Sequence, residues 1–312
     1  MRKNYIADAQ RIGSSIAAYE SKNKTLPGIS SSGARETLIE QIIDSEQRVK
    51  YTDRLDNMQL DPSAVDPTSD GFHPLKASIL HRRSGNYDEA VWLVYLYVHF
   101  GRHRRAGWRY VRDTYGALGS DRSDWWTWDR ISEEPFAFRL WLDKNKNEFG
   151  RAPGQHGFGN HRKYESLDAM GDRGTGAAVT SYVEWVLSAA DGHNERFAVL
   201  KEQSPEETFQ AIYRSLRSVV RFGRIAKFDY TTMIGRLKLV DVKPPHTYLT
   251  GATGPRSGAA LLLRGNPDAG TPTELQAELS RICTAINVAP DVMEDAICNW
   301  QKDPENYIRF SA

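Results

Sequence analysis

The run Tyr87 to Phe100, YDEAVWLVYLYVHF, constrains the fold more than any other part of the chain. It is apolar nearly all round at helical spacing, so a helix here has no face to give to solvent and must be wrapped by other elements. At 14 residues it is too short for the roughly 20 that a membrane span requires.

The rest of the pattern supplies the wrapping. Apolar residues recur at helical spacing in Leu38 to Val49 (LIEQIIDSEQRV) and in Glu206 to Val220, whereas strand signals are few and short. The expectation is a mainly α fold, one helical body built from two lobes. A helix is expected over Pro205 to Val220, then a turn at Phe222 and Gly223 and a second helix through Ile234. A loop is expected over His246 to Gly258, with closing helices around Thr273 to Ile286 and Asp291 to Lys302. Between Leu60 and Pro74 the segment DPSAVDPTSDGFHP has prolines, Asp and Ser but no apolar period. It reads as an exposed connection and a boundary between 1–74 and 75–312.

Composition narrows the partners. The 312 residues are 40% hydrophobic, enough for a sizeable core. Lys and Arg number 41 against 40 Asp and Glu, so a net charge of +1 gives no whole-molecule attraction to a polyanion, and nucleic-acid binding must come from local clusters. Cys283 and Cys298 are too few to build a zinc or iron–sulfur site unaided, and a reducing cytoplasm is the simplest setting. The start, MRKNYIADAQRIGSSIAAYE, lacks the apolar stretch of a signal peptide, so neither export nor membrane insertion is expected. With no metal cluster and no dinucleotide fingerprint, no bound cofactor is expected.

Five segments concentrate groups that do chemistry. Arg214, Arg217, Arg221 and Arg224 are spaced three, four and three apart, which on a continuous helix and its end puts four guanidinium groups on one side. From Arg214 to Lys238 seven basic residues face a single acid, Asp229. Such a stripe suits bidentate phosphate contacts, or else it is a solvated face paired with acids elsewhere. A carboxylate among cations is ionised at neutral pH and orients an amine or serves as a counter-ion, which makes Asp229 a catalytic candidate. In Asn160, His161, Arg162, Lys163, Tyr164 and Glu165 a proton shuttle, two cations and hydrogen-bonding groups follow a glycine-rich turn; the alternative is a helix cap with a salt-bridged first turn. GATGPRSG, Gly251 to Gly258, offers free backbone N–H groups and the charge of Arg256 to an anion or, the preferred reading, is a plain turn between helices; it lacks the Lys-Ser/Thr ending of a P-loop, so nucleotide-triphosphate hydrolysis is not expected. GRHRRAGWRYVR, Gly101 to Arg112, interleaves five arginines with Trp108 and Tyr110, suited to gripping a strand and stacking on bases, or to an amphipathic surface helix. Trp125, Trp126 and Trp128 serve either base stacking or, the preferred reading, an aromatic core.

Several phrases taken together resemble the α-glutamyl/putrescinyl-thymidine pyrophosphorylase families: QIIDSEQRVKY from Gln41, FGNHRKYESL from Phe158, RFGRIAKFDYTTMIGRL from Arg221, TGATGPRSGAALLL from Thr250 and EDAICNWQK from Glu294. The resemblance runs from about residue 35 to the C-terminus. It implies a helical fold of the DNA-glycosylase, helix-hairpin-helix type, and a setting in virus-infected bacteria where thymidine in DNA is hypermodified. It further implies an enzyme that takes 5-hydroxymethyluracil already carrying pyrophosphate and replaces the pyrophosphate with an amine, from an amino acid or putrescine. On that reading the cations Arg162, Lys163, Arg221, Arg224, Lys227 and Arg256, with Asn160, hold the substrate and its leaving group. Asp229 is the first choice for the base that neutralises the amine, with His161 and Glu165 as the alternatives. Arg104, Arg105, Trp108, Arg214 and Arg217 are the expected DNA contacts. Base excision on the same scaffold, and DNA binding without catalysis, are the competing readings.

Overall fold

A computed structural model describes residues 5–150, 157–188 and 191–309. The chain is mainly helical, with fourteen α-helices and no strand among the described residues. In order these are α1 (Ile6–Lys22), α2 (Ser32–Asn57), α3 (Pro74–Arg83), α4 (Tyr87–Phe100), α5 (Arg109–Tyr115), α6 (Trp128–Glu133) and α7 (Pro135–Asn145). They continue with α8 (Thr175–Leu187), α9 (His193–Val199), α10 (Pro205–Ser215), α11 (Arg224–Arg236), α12 (Gly254–Arg264), α13 (Pro272–Ile286) and α14 (Pro290–Trp300). No helix among the described residues is long and apolar enough to cross a membrane. The chain divides into two compact units, one from residues 1–53 with 244–311 and one from residues 54–243.

The first unit joins the two ends of the chain. Ile12 and Ile16 of α1, Leu38 and Ile42 of α2, Leu262 of α12, Leu279 and Ile286 of α13, and Ile297 and Trp300 of α14 close one buried cluster. The Trp300 indole N–H is satisfied by the Ala34 carbonyl at 3.1 Å. At the start of α13, Thr271 and Glu274 form a reciprocal capping box that satisfies two of the helix's first N–H groups.

The second unit is organised around α4, in which Glu89–Leu96 and Val98–Phe100 are all buried. Helices α3, α5, α6, α9 and α11 pack against it. With α3 it forms a tight antiparallel hairpin in which the Ser78 hydroxyl donates to the Ala90 carbonyl at 2.7 Å. The tryptophan cluster is core: Trp125, Trp126 and Trp128 are buried, and the Trp92 indole donates to the Trp126 carbonyl at 2.8 Å.

Three local expectations are corrected. Helix α10 stops at Ser215 rather than Val220, because a 3-10 turn over Leu216–Ser218 redirects the chain so that Val219 and Phe222 enter the core. The connection over Leu60 to Pro74 is not simply exposed: side-chain turns at Asp61 and Asp66 fold it back, and Ala64 and Phe72 are buried. The expected loop over His246 to Gly258 already contains the first turn of α12.

Glu89, in the first turn of α4, is a charge-capable group in this core. Its carboxylate accepts the Trp128 N–H at 2.8 Å, while burial pushes its pKa up to about 7. A carboxyl raised from 4.5 to about 7 keeps in the folded state a proton that the unfolded chain releases, so its favourable contribution is complete below pH 4.5 and lost as pH rises through 7. Glu89→Gln is expected to leave stability nearly unchanged at or below about pH 4.5 and to raise it by on the order of 3 kcal/mol near pH 8. Urea unfolding at the two pH values checks this; an equal difference at both would contradict it.

Candidate active site

The last carbonyls of a helix have no partner within it, and at the buried end of α4 they must be met by other protein groups. The Tyr97 carbonyl takes the Gly101 N–H at 3.1 Å, and the Phe100 carbonyl takes the Gly159 N–H at 2.8 Å. The Val98 carbonyl takes the Nε of Arg162 at 2.8 Å. The segment around FGNHRKYES is thus laid across the helix end, anchored by Phe158 stacked on Phe100 at 5.5 Å. Two glycines permit the approach. Gly101 has φ of 63°, and a Cβ on Gly159 would lie 2.8 Å from the Gly101 carbonyl carbon and 2.9 Å from the Arg102 nitrogen.

Arg162 is 7% exposed, and one of its terminal nitrogens, Nη2, has no hydrogen-bond partner in the protein. That nitrogen lies 3.7 Å from Oδ2 of Asp229 on α11, whose side chain is 47% exposed. Burial pulls the guanidinium below the ordinary arginine range, while the charges of Asp229 and Glu165 and the negative end of the α4 dipole favour its cationic form. The Tyr95 hydroxyl is also fully buried without a hydrogen-bond partner; burial raises its pKa well above the usual value, and the nearby charges it feels are those of Glu165 and Arg162. The geometry therefore offers a carboxylate open to solvent, backed by a sealed cation, with a second orphaned polar group beneath.

Arg221 fixes the far side of the same segment. Its backbone adopts φ of 63°, a left-handed conformation that costs a non-glycine residue roughly 1–2 kcal/mol. From there Nε donates to Oε2 of Glu165 at 2.6 Å and Nη2 donates to the Tyr164 carbonyl at 2.7 Å. Glu165 is thus already engaged by a cation.

Asn160, His161 and Lys163 are exposed on the 3-10 turn that carries Arg162. The arginine stripe does not form, because α10 ends before Arg217 and Arg221 lies outside any helix. Arg214 and Arg217 are exposed, whereas Arg224 sits over the Phe228 ring at 4.8 Å and Lys227 over the Tyr213 ring at 4.5 Å. Helical spacing puts Lys227 and Asp229 on opposite sides of α11. Arg104 and Arg105 are exposed in a tight turn closed by His103, whose ring nitrogen accepts the Ala106 N–H at 3.0 Å. Of that arginine-rich segment only the last four residues are helical, as the start of α5 (Arg109–Tyr115). Trp108 is half-buried against Tyr97 at 4.6 Å and His73 at 5.6 Å. Arg256 belongs to the first unit, where its guanidinium donates to the carbonyls of Pro267, Asp268 and Gly270 at 2.9–3.1 Å. No group of three or more His, Cys, Asp or Glu is placed to hold a metal among the described residues.

The sequence reading missed a buried polar row behind this site. Asp88 Oδ1 accepts from the His193 backbone N–H at 2.7 Å and pairs with its Nδ1 at 2.6 Å. His193 Nε2 meets the Tyr182 hydroxyl at 2.8 Å, which meets the Tyr230 hydroxyl at 2.9 Å. His99 pairs with Thr175 at 3.0 Å, and burial, then the charges of Arg162 and Arg221, push its pKa down to about 3, so it is a neutral packing group at physiological pH. The available signal was Asp88 in the first turn of a helix that is otherwise apolar nearly all round, where a carboxylate at the edge of the core demands a partner.

The family model described as alpha-glutamyl/putrescinyl thymine pyrophosphorylase clade 3 matches residues 33–312, and the chain belongs to this family. The family's name denotes pyrophosphorylase activity on a modified thymine. No curated protein and no solved structure matches the chain.

Gly159→Ala is expected to push the segment off the end of α4 and to lower unfolding stability by roughly 1–3 kcal/mol, as overpacking does. Denaturant titration of the purified variant measures this, and a stability equal to that of the parent would contradict the close approach.

Proposed function

We propose that this protein replaces the pyrophosphate of 5-pyrophosphoryloxymethyluracil in DNA with an amine, supplied by an amino acid or a polyamine. The observation that carries this reading is the pair of exposed Asp229 and buried Arg162, in a chain of a family named for thymine pyrophosphorylase activity.

In the reaction the amine nitrogen bonds to the 5-methylene carbon while the carbon–oxygen bond to pyrophosphate breaks, the electron pair leaving on the pyrophosphate oxygen. The proton shed by the amine goes to the Asp229 carboxylate, which is solvent-accessible and so reachable by a co-substrate. Arg162 holds that carboxylate in place from behind; its burial and its bond to Val98 O leave it little freedom to reorient, which is the preorganisation that electrostatic catalysis needs. Lys163 and Asn160, exposed on the same turn, supply charge and hydrogen bonds to the phosphates there, those of the departing pyrophosphate and of the adjoining strand. Glu165, tied to Arg221, and His161 have supporting roles, and Arg104, Arg105 and Trp108 face the nucleic-acid backbone and bases. Arg224 and Lys227 lie around α11 from Asp229 and serve the DNA strand, with Arg214 and Arg217, rather than the leaving group.

The test is product analysis. DNA bearing the pyrophosphorylated base is incubated with the protein and a mixture of amino acids and putrescine, digested to nucleosides and examined by mass spectrometry. An amine-bearing nucleoside is expected, and Asp229→Asn is expected to lower its rate at least about 100-fold in a variant whose unfolding transition shows it still folded. Release of a free base would instead establish a glycosylase, and unchanged DNA in the presence of a working positive control would contradict both.

A further inference from the structure

The exposed aromatic beside this site is Tyr164, 80% exposed although it stands two residues from the buried Arg162. Its carbonyl and the residues on either side of it are held. The Arg162 N–H bonds the Gly159 carbonyl at 2.7 Å, and the Glu165 N–H bonds the Arg162 carbonyl at 2.9 Å. Arg221 takes both the Tyr164 carbonyl and the Glu165 carboxylate, at the cost of a left-handed backbone. Strain of that kind persists only where surrounding contacts over-determine it, and it concentrates at functional segments. An aromatic ring placed in solvent on so constrained a mount has no packing purpose within the fold. Lys163 Nζ sits over the ring at 5.1 Å.

We infer that Tyr164 is a nucleobase-stacking residue at the lip of the site, its ring taking the face of an unpaired or extruded base while Lys163 meets the adjoining phosphate. This inference rests on the DNA reading given above and adds to it the residue that registers the strand against Asp229. Tyr164 stands two residues along the chain from Arg162, which lies 3.7 Å from the Asp229 carboxylate. Every base has a π-face, so such a contact supplies affinity without sequence preference, and it is insensitive to salt, in contrast to the phosphate contact of Lys163.

The experiment measures equilibrium binding of the full chain to a thymine-rich DNA single strand and to its duplex over a range of salt concentrations. Tyr164→Ala is expected to bind single-stranded DNA about 10- to 100-fold more weakly than the parent, with an unchanged slope of log affinity against log salt and an unchanged melting temperature. Tyr164→Phe, which keeps the ring, is expected to bind within about two-fold of the parent, and Lys163→Ala to flatten the salt slope. If the parent binds DNA and Tyr164→Ala binds it equally well, the stacking role is overturned while the DNA reading stands. If Tyr164→Phe is as weak as Tyr164→Ala, the hydroxyl and not the ring makes the contact, which also overturns it. If the parent binds neither form of DNA, the DNA reading fails and the stacking role with it.

Discussion

The hydrogen bond from Arg162 Nε to the Val98 carbonyl is the contact on which the rest of the site depends. A helix as buried as α4 cannot leave its last carbonyls to water, so the protein must bring donors to them. It does so with a cation, which the negative end of the helix dipole favours, and thereby carries a guanidinium into the interior. Burying that charge costs several kcal/mol. The helix end offsets part of this, and the Asp229 carboxylate at 3.7 Å offsets more. Closing the end of the most apolar helix therefore also positions the carboxylate that faces solvent.

Two systems then set the orientation of α11. On one side Asp229 is drawn to Arg162; on the other its neighbour Tyr230 ends the row that runs through Tyr182 and His193 to Asp88. Adjacent residues on a helix point about 100° apart, so the two contacts together resist rotation of α11 in either direction. Because α4 contributes both Asp88 in its first turn and Val98 in its last, one helix references both restraints. The strained Arg221 adds a third fixed point, tying the start of α11 to the segment that carries Arg162.

Much of this fold was legible in the sequence where the physics is local. The limits of α4 follow from a nearly unbroken apolar run, and apolar periodicity placed the start of α10 at Pro205 and that of α13 at Thr273, within one residue of the helices found. The arginine stripe was misread because spacing alone presumes a continuous helix, and nothing in RSLRSVVRFGR announces that Arg221 takes a positive φ. Asp229 and Arg162 were each visible as reactive types. Their pairing was not, since it is made by two segments 67 positions apart meeting at a third element. The chain from Asp88 through His193 and Tyr182 to Tyr230 depends on packing that periodicity does not encode.

The central claim is that Arg162 and Asp229 act as one unit, and a double-mutant cycle on amine transfer tests it most directly. Rates are compared for Arg162→Met, Asp229→Asn and the double variant, each first shown by its unfolding transition to be folded. Groups that work through one another are strongly non-additive, so the double variant should lose no more activity than the worse of the two single variants. Losses that multiply would mean that the two residues contribute independently, and would contradict the account of Asp229 as a carboxylate held in place by the arginine that closes α4.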